Sequence, residues 1–192
     1  MRGKKAIFGV LLVSVAAQVQ AADWYFDLAF ARGGDKLADV ELEYRNGDTD
    51  STKITAGGGI SFAVGGVFAL SESLQLQTSA GYKEDGVHAD NGSIAFKRIP
   101  LDTVLFYNGE HWRIGAGATY ETHISLAGVP GPSTNINSTV GSIMEIDYKF
   151  TDFVMIGLRY TRIQYDVEVN SYYYDDVEIN GNNTSLRVAF TF

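Results

Sequence analysis

The sequence contains no cysteine and only 3 prolines among its 192 residues. The absence of cysteine fits an exported protein that avoids disulfide chemistry. No stretch reaches the roughly 20 apolar residues that a membrane-spanning helix needs, and the N-terminal apolar run, residues 6–17, is well short of that length. Glycine, tyrosine and phenylalanine are plentiful instead, at 21, 11 and 11 residues, and this composition favours strands and turns. The length suits one folded unit.

The N-terminus has the pattern of a secretory signal peptide. Three bases within residues 2–5 precede an uncharged apolar core over residues 6–17, and small residues then lead to a cleavage site after Ala21. The predicted mature chain starts at Ala22. Losing the three bases changes the formal net charge from −8 to −11. Nucleic acid is therefore not an expected partner, because phosphate binding needs a basic face.

Eight segments alternate apolar and polar residues with a period of two, which indicates half-buried strands. The clearest is the last, where apolar residues from Leu186 to Phe192 alternate with small or polar ones. The eight segments are 24–31, 59–70, 74–83, 98–107, 112–123, 144–150, 154–161 and 185–192. A transmembrane barrel strand needs only about 9–11 residues. The pattern predicts an all-β fold, an eight-stranded antiparallel up-and-down transmembrane β-barrel over residues 22–192.

The connections between these segments alternate in length. Short turns are predicted at 71–73, 108–110 and 151–152, and long polar segments at 33–52, 84–93, 125–137 and 166–183. This alternation predicts an outer-membrane barrel with both termini in the periplasm and the long loops outside the cell. Tyrosines and tryptophans near the strand ends suit interfacial girdles: Trp24, Tyr82, Tyr107, Trp112, Tyr120, Tyr148 and Tyr160.

The two faces of the strands distinguish this barrel from a soluble one. The apolar face carries the large aromatics, which suits lipid, whereas the other face mixes glycine with isolated charges, which suits a lumen that side chains fill. The charges predicted to point inward are Asp27, Lys83, Arg98, Asp102, Arg113, Glu121, Glu145, Asp147, Lys149, Arg159 and Arg187. They comprise six bases and five acids. A salt-bridged lumen is predicted, since unpaired buried charge is costly.

Segments 113–120, 157–161 and 187–192 resemble the small eight-stranded outer-membrane β-barrel superfamily of Gram-negative bacteria, which includes the OmpA transmembrane domain and OmpX- and OmpW-like proteins. The resemblance implies the fold and a porin-like location at the cell surface, but no activity. It implies outer-membrane lipids and lipopolysaccharide as partners, and we expect a monomer. It also implies that Phe190 and the final aromatic, Phe192, form an assembly signal for the barrel-insertion machinery.

A His-x-Ser pair is the sharpest hint of catalysis. His123 and Ser125 are similar to the motif of the outer-membrane lipid A deacylases, serine esterases built on an eight-stranded barrel. In that family the serine is the nucleophile, the histidine is the general base, and a downstream acid orients the histidine. Here Leu126 replaces the family's asparagine, the next acid is Glu145, and alternation places His123 in the lumen. We therefore predict no catalytic residues.

No cofactor or metal is expected either. His88 lies in a polar segment and His111 in a turn, without a second histidine or a cysteine at ligand spacing. Acidic residues gather in the last long segment: Asp166, Glu168, Asp175, Asp176 and Glu178. Their spacing matches no EF-hand loop, so a solvated acidic loop is predicted.

Three functions are compatible with these observations. The first is a non-enzymatic barrel with a side-chain-filled lumen and acidic exterior loops, acting in a structural or interaction role at the cell surface. The second is a narrow channel for small solutes, as in OmpW-like proteins. The third is a lipid A deacylase-type serine esterase using His123 and Ser125. The sequence favours the first.

Overall fold

A computed structural model describes residues 23–43, 49–89, 92–128, 134–169 and 172–192. The predicted signal peptide, its cleavage site after Ala21 and the mature start at Ala22 lie outside these residues. Within them the chain forms β1 (Asp23–Gly33), β2 (Lys36–Glu43), β3 (Thr49–Thr55), β4 (Gly59–Ala69), β5 (Leu74–Ala89), β6 (Gly92–Asn108), β7 (Trp112–Ala127), β8 (Thr134–Ser138), β9 (Gly141–Lys149), β10 (Val154–Arg162), β11 (Gln164–Val169), β12 (Tyr172–Asn180) and β13 (Asn183–Thr191). No helix of the described residues is long and apolar enough to cross a membrane.

Eight of these strands close into an antiparallel barrel in the order β1-β13-β10-β9-β7-β6-β5-β4. Each strand corresponds to one of the eight alternating segments, so the predicted fold is confirmed. The first and last strands seal the barrel, with Leu28 opposite Val188. At the same seam the backbones of Trp24 and Phe192 exchange hydrogen bonds of 2.8 and 3.1 Å.

The period of two gives the barrel an apolar outer face. Leucine, isoleucine, valine and aromatic side chains there stay about half exposed, as at Leu28 and Ile114. The predicted girdle aromatics are exposed too, apart from the half-buried Tyr82. The rings of Trp112 and Tyr148 pack with centroids 4.7 Å apart. Such a surface is stable only against an apolar medium, which makes this a transmembrane barrel.

The short turns lie at one end of the barrel, together with the first and last described residues, Asp23 and Phe192. This end is here called the turn end. The opposite end, the loop end, differs from its prediction: the long polar segments are not mainly loops but extend β5, β6 and β7 and add β2, β3, β8, β11 and β12. β2 pairs with β3, and β12, β11 and β8 form a second small sheet. Apolar residues within or next to these polar segments, such as Ile136 and Ile54, drive this folding because they bury in a shared cluster.

That loop-end cluster consists of six buried residues, Ile54, Ala56, Phe96, Ile136, Ile163 and Tyr165, with partly buried neighbours around them. Phe96 and Tyr165 meet edge to face with centroids 5.7 Å apart. The cluster draws on β3, the segment after it, β6, β8 and β11. It therefore closes the loop end of the barrel with apolar side chains.

Candidate functional site: the charged lumen and its loop-end rim

The charged side chains inside the barrel begin near the turn end with one ion pair. Nε of Arg113 lies 2.6 Å from Oδ2 of Asp147, and both side chains are almost fully buried. The Arg113 guanidinium also stands 4.0 Å from the centroid of the Phe106 ring. Gly157 makes room for the carboxylate, since a Cβ there would meet Oδ1 of Asp147 at 1.7 Å. Position 157 is therefore glycine because the ion pair fills the lumen.

The middle of the lumen is a connected chain of two arginines and three carboxylates. Arg159 bonds to both Asp102 and Glu145, with Nε 2.6 Å from Oε2 of Glu145. Arg187 bonds to Glu145 and to Asp27. Glu145 thus bridges two arginines, and residues from β1, β6, β9, β10 and β13 meet across the barrel. Charge-assisted bonds of this kind are the strong ones when they are shielded from water.

Near the loop end, the lumen connects to the apolar cluster above it. Nε of Arg98 is 3.2 Å from Oε2 of Glu121. The Tyr165 hydroxyl donates to the same carboxylate at 2.6 Å, while Arg98 donates to the Gly58 carbonyl at 2.7 Å. Burial, with the Glu121 carboxylate beside it, raises the pKa of the Tyr165 phenol, so the hydroxyl remains a donor. The loop-end strands are therefore fixed to the barrel wall.

The two lysines predicted to face the lumen differ from the arginines. Lys83 is 93% buried and lines a cavity of about 50 Å³, yet it makes no hydrogen bond or ion pair with any described residue. Lys149 does not belong to the lumen network, contrary to the prediction. It lies partly exposed at the turn end, and its Nζ donates to the Gly109 carbonyl at 3.0 Å. It is the last residue of β9, where the barrel ends. Without it, the described residues of the lumen include five bases and five acids.

Apolar side chains also fill the barrel near the turn end. Tyr25, Val67, Met155 and Ala189 form one buried cluster there, and Val104, Phe106 and Ile143 form another inside the barrel. The described lumen is thus occupied by ion pairs between apolar clusters. The small cavity around Lys83 is large enough for a few water molecules and no larger solute.

His123 lies outside the lumen, contrary to the prediction. The pairing of β6 with β7 shifts at this point, so that Arg98 alone stands opposite His123 and Ile124. This bulge, at which His123 has φ of 49°, reverses the alternation and turns His123 and Ser125 outward. Ile124 then packs on the loop-end cluster instead.

The structure does not bring His123 and Ser125 into a catalytic arrangement. The hydrogen-bond partner of His123 Nδ1 is the Thr122 hydroxyl, 3.2 Å away, and no described carboxylate bonds to the ring. His111 is exposed, 3.9 Å from Glu110, and the side chain of His88 lies outside the described residues. Among the described residues, no group of three acids, histidines or cysteines is placed to hold a metal ion.

The other predicted sites lie at the strand ends and in the added strands. Phe190 is half-buried, 6.1 Å from the Phe26 ring, and Phe192 is exposed at the turn end. The acidic segment forms β11 and β12 rather than the predicted loop. In it, Asp166 is exposed and Glu178 accepts a hydrogen bond from Gln164 at 3.1 Å. The side chains of Glu168, Asp175 and Asp176 lie outside the described set.

Sequence reasoning missed the aromatic residues that hold the charges. Phe96 and Phe106 lie against arginines, and Tyr25 and Tyr165 donate to Asp27 and Glu121. For Tyr25 and Phe106 a signal was present, because both fall on the inward side of the alternation. For Tyr165 there is none, since it lies between the seventh predicted strand, which ends at 161, and the long polar segment that begins at 166.

No protein-family model and no curated protein matches the sequence. Solved outer-membrane proteins are similar at low identity. AlkL, determined by solid-state NMR in DMPC bilayers, is 14% identical over 92% of this chain and 93% of its own, with a TM-score of 0.49. OprG from Pseudomonas aeruginosa is 13% identical over 91% and 97%, with a TM-score of 0.48. Ail from Yersinia pestis is 8% identical over 90% and 100%, with a TM-score of 0.47.

The geometry of the chain defines its architecture independently of these similarities. Eight strands close antiparallel, the outside is apolar, and the inside is charged. The chain is a small eight-stranded β-barrel of the outer-membrane type, as the sequence predicts.

Proposed function

We propose that this chain is a non-enzymatic outer-membrane barrel with a structural or interaction role at the cell surface. The observation that carries the proposal is the filled lumen, in which buried ion pairs lie between apolar clusters. A barrel closed in this way offers no route for a solute. Its activity then resides in the surface that the added strands build at the loop end.

The proposed orientation places the turn end in the periplasm and the loop end outside the cell. Short turns on one side and long connections on the other support it, because outer-membrane barrels keep their long connections outside. Exposed acids, including Asp35, Asp39 and Asp166, give the loop end its negative character. Three rim bases, Arg32, Lys97 and Arg162, are then placed to meet lipopolysaccharide phosphates, with divalent cations bridging to the acids.

Conductance of the purified protein in a planar bilayer tests the proposal. We expect rare and small openings, because eight strands leave a lumen only wide enough for side chains. Heat-modifiable migration of the same sample on a gel verifies that the barrel is folded, and a large porin serves as the positive control. A steady large conductance from the folded wild type would support the channel hypothesis instead.

A further inference from the structure

A cleft of about 700 Å³ opens on the side of the barrel at the loop end. Its upper wall is β3, and its lower wall is the rim formed by the ends of β1, β4 and β5. Phe30 and Ile60, which are 49% and 65% exposed on the apolar outer face, form the lower lip. The cleft therefore lies where the apolar belt of the barrel meets the polar loop end, the level of lipid headgroups.

Two cations line this cleft without a carboxylate partner among the described residues. Arg32 and Lys53 are both exposed, and the Arg32 guanidinium lies 5.4 Å from the centroid of the Phe30 ring. Asp39 stands opposite Lys53 in the β2–β3 pair, but it is bonded to Lys36. Both positive charges are thus available to an anionic ligand.

The remaining wall carries acceptors that are already held in place. Asp85 Oδ2 receives the Thr55 amide at 2.8 Å and the Thr55 hydroxyl at 3.1 Å, and Glu84 accepts a hydrogen bond from Tyr82. Gly59, with φ of 114°, keeps the floor low, since a Cβ there would meet the Glu84 carbonyl at 2.2 Å. These bonds preform a cleft that presents two cations beside two acids.

We propose that this cleft binds one phosphorylated lipid headgroup of the surrounding leaflet. The phosphate lies between Arg32 and Lys53, hydroxyl or ammonium groups of the headgroup face Glu84 and Asp85, and an acyl chain runs over Phe30 and Ile60. The apolar lip selects a lipid over a soluble phosphate, and the paired charges select a headgroup with donors over a bare anion. The inference rests on the proposed placement of the loop end in the outer leaflet.

The test compares two double variants in lipid nanodiscs that contain lipid A, a phosphorylated disaccharide lipid. In R32Q/K53Q the cleft loses both cations, whereas the matched control K97Q/R162Q removes two rim bases that do not line it. Native mass spectrometry measures how much lipid A each protein retains after detergent washing. We expect R32Q/K53Q to retain roughly tenfold less, and the control, whose exposed rim bases meet phosphates outside the cleft, to retain at most about twofold less.

Two further measurements distinguish a lipid phosphate from inorganic phosphate as the ligand. Lipid A stripped of its phosphates should be retained as poorly by wild type as intact lipid A is by R32Q/K53Q, and millimolar inorganic phosphate should displace little. Equal losses from both double variants, or retention without phosphates, would overturn the proposal. Displacement by inorganic phosphate alone would also overturn it, in favour of a soluble-anion site. A conducting barrel that still retains lipid A through Arg32 and Lys53 would contradict the proposed function but support the lipid site in the cleft.

Discussion

Glu145 holds two buried arginines at once, which makes it the most informative position in the lumen. Its Oε2 lies 2.6 Å from Nε of Arg159 and also contacts Arg187. Replacing it by glutamine keeps the shape and removes the charge. We predict that Glu145→Gln destabilises the folded barrel, because five buried bases would then face four acids.

The expected magnitude follows from the partners that remain. Removing one member of a buried ion pair costs about 3–5 kcal/mol. Arg159 keeps Asp102 and Arg187 keeps Asp27, so the loss should lie at the lower end, about 3 kcal/mol. Adding Glu121→Gln removes the one described carboxylate beside Arg98, and should cost about 3–5 kcal/mol more.

Urea unfolding in lipid vesicles, followed by the fluorescence of the 2 tryptophans, measures these losses. A loss of about 3 kcal/mol corresponds to a midpoint lower by about 1–3 M urea. The matched control is Glu110→Gln in an exposed turn, where the side chain is 89% accessible and the change should stay within about 0.5 kcal/mol. If Glu145→Gln unfolds at the same midpoint as this control, the ion pairs do not hold the lumen together.

Two further predictions concern the chain end and the His-x-Ser pair. Deleting Phe192 should lower the fraction of heat-modifiable barrel in the outer membrane, because its backbone bonds with Trp24 close the seam between β1 and β13. Replacing it by aspartate should lower that fraction too, because the exposed ring on the apolar face would become a charge; undiminished assembly of both variants would show that the last residue is dispensable. Ser125→Ala should leave the mass of lipid A in the host membrane unchanged from wild type, since His123 has no described acid to orient it. Loss of one acyl chain that depends on Ser125 would establish the esterase.

The eight barrel strands could be predicted from sequence because a narrow membrane barrel imposes the same rule on every residue. Each side chain faces either lipid or a lumen already full, so apolar and small or charged residues must alternate. Val154, Ile156 and Leu158 on β10 show this without interruption, with Met155 and Gly157 buried between them. The inward position of the five acids follows from the same alternation.

The loop end could not be predicted in this way because its strands do not face lipid. Ile54, Ile136 and Tyr165 pack on one another across segments far apart in the chain, and no local period announces such contacts. The bulge at His123 could not be predicted either, because it too depends on how two strands pair. Arg98 lies opposite two residues, and the register that fixes this arises only when β6 and β7 pair.

The separation of charge explains why one chain can be strongly acidic and still cross a membrane. Among the described residues inside the barrel, five bases and five acids balance, as they must where low dielectric makes a net charge costly. The described acids outside the lumen, such as Asp35, Asp39 and Asp166, lie at the ends of the barrel, where water screens their charge. Tyr165 of β11 bonds to Glu121 in the barrel wall, and Arg98 in the barrel wall bonds to the Gly58 carbonyl, which follows β3. The acidic surface is therefore held at a fixed position above the apolar belt. A partner that binds there meets a preformed surface. A lipid bound in the proposed cleft below it would have its phosphate at the level of Arg32 and Lys53.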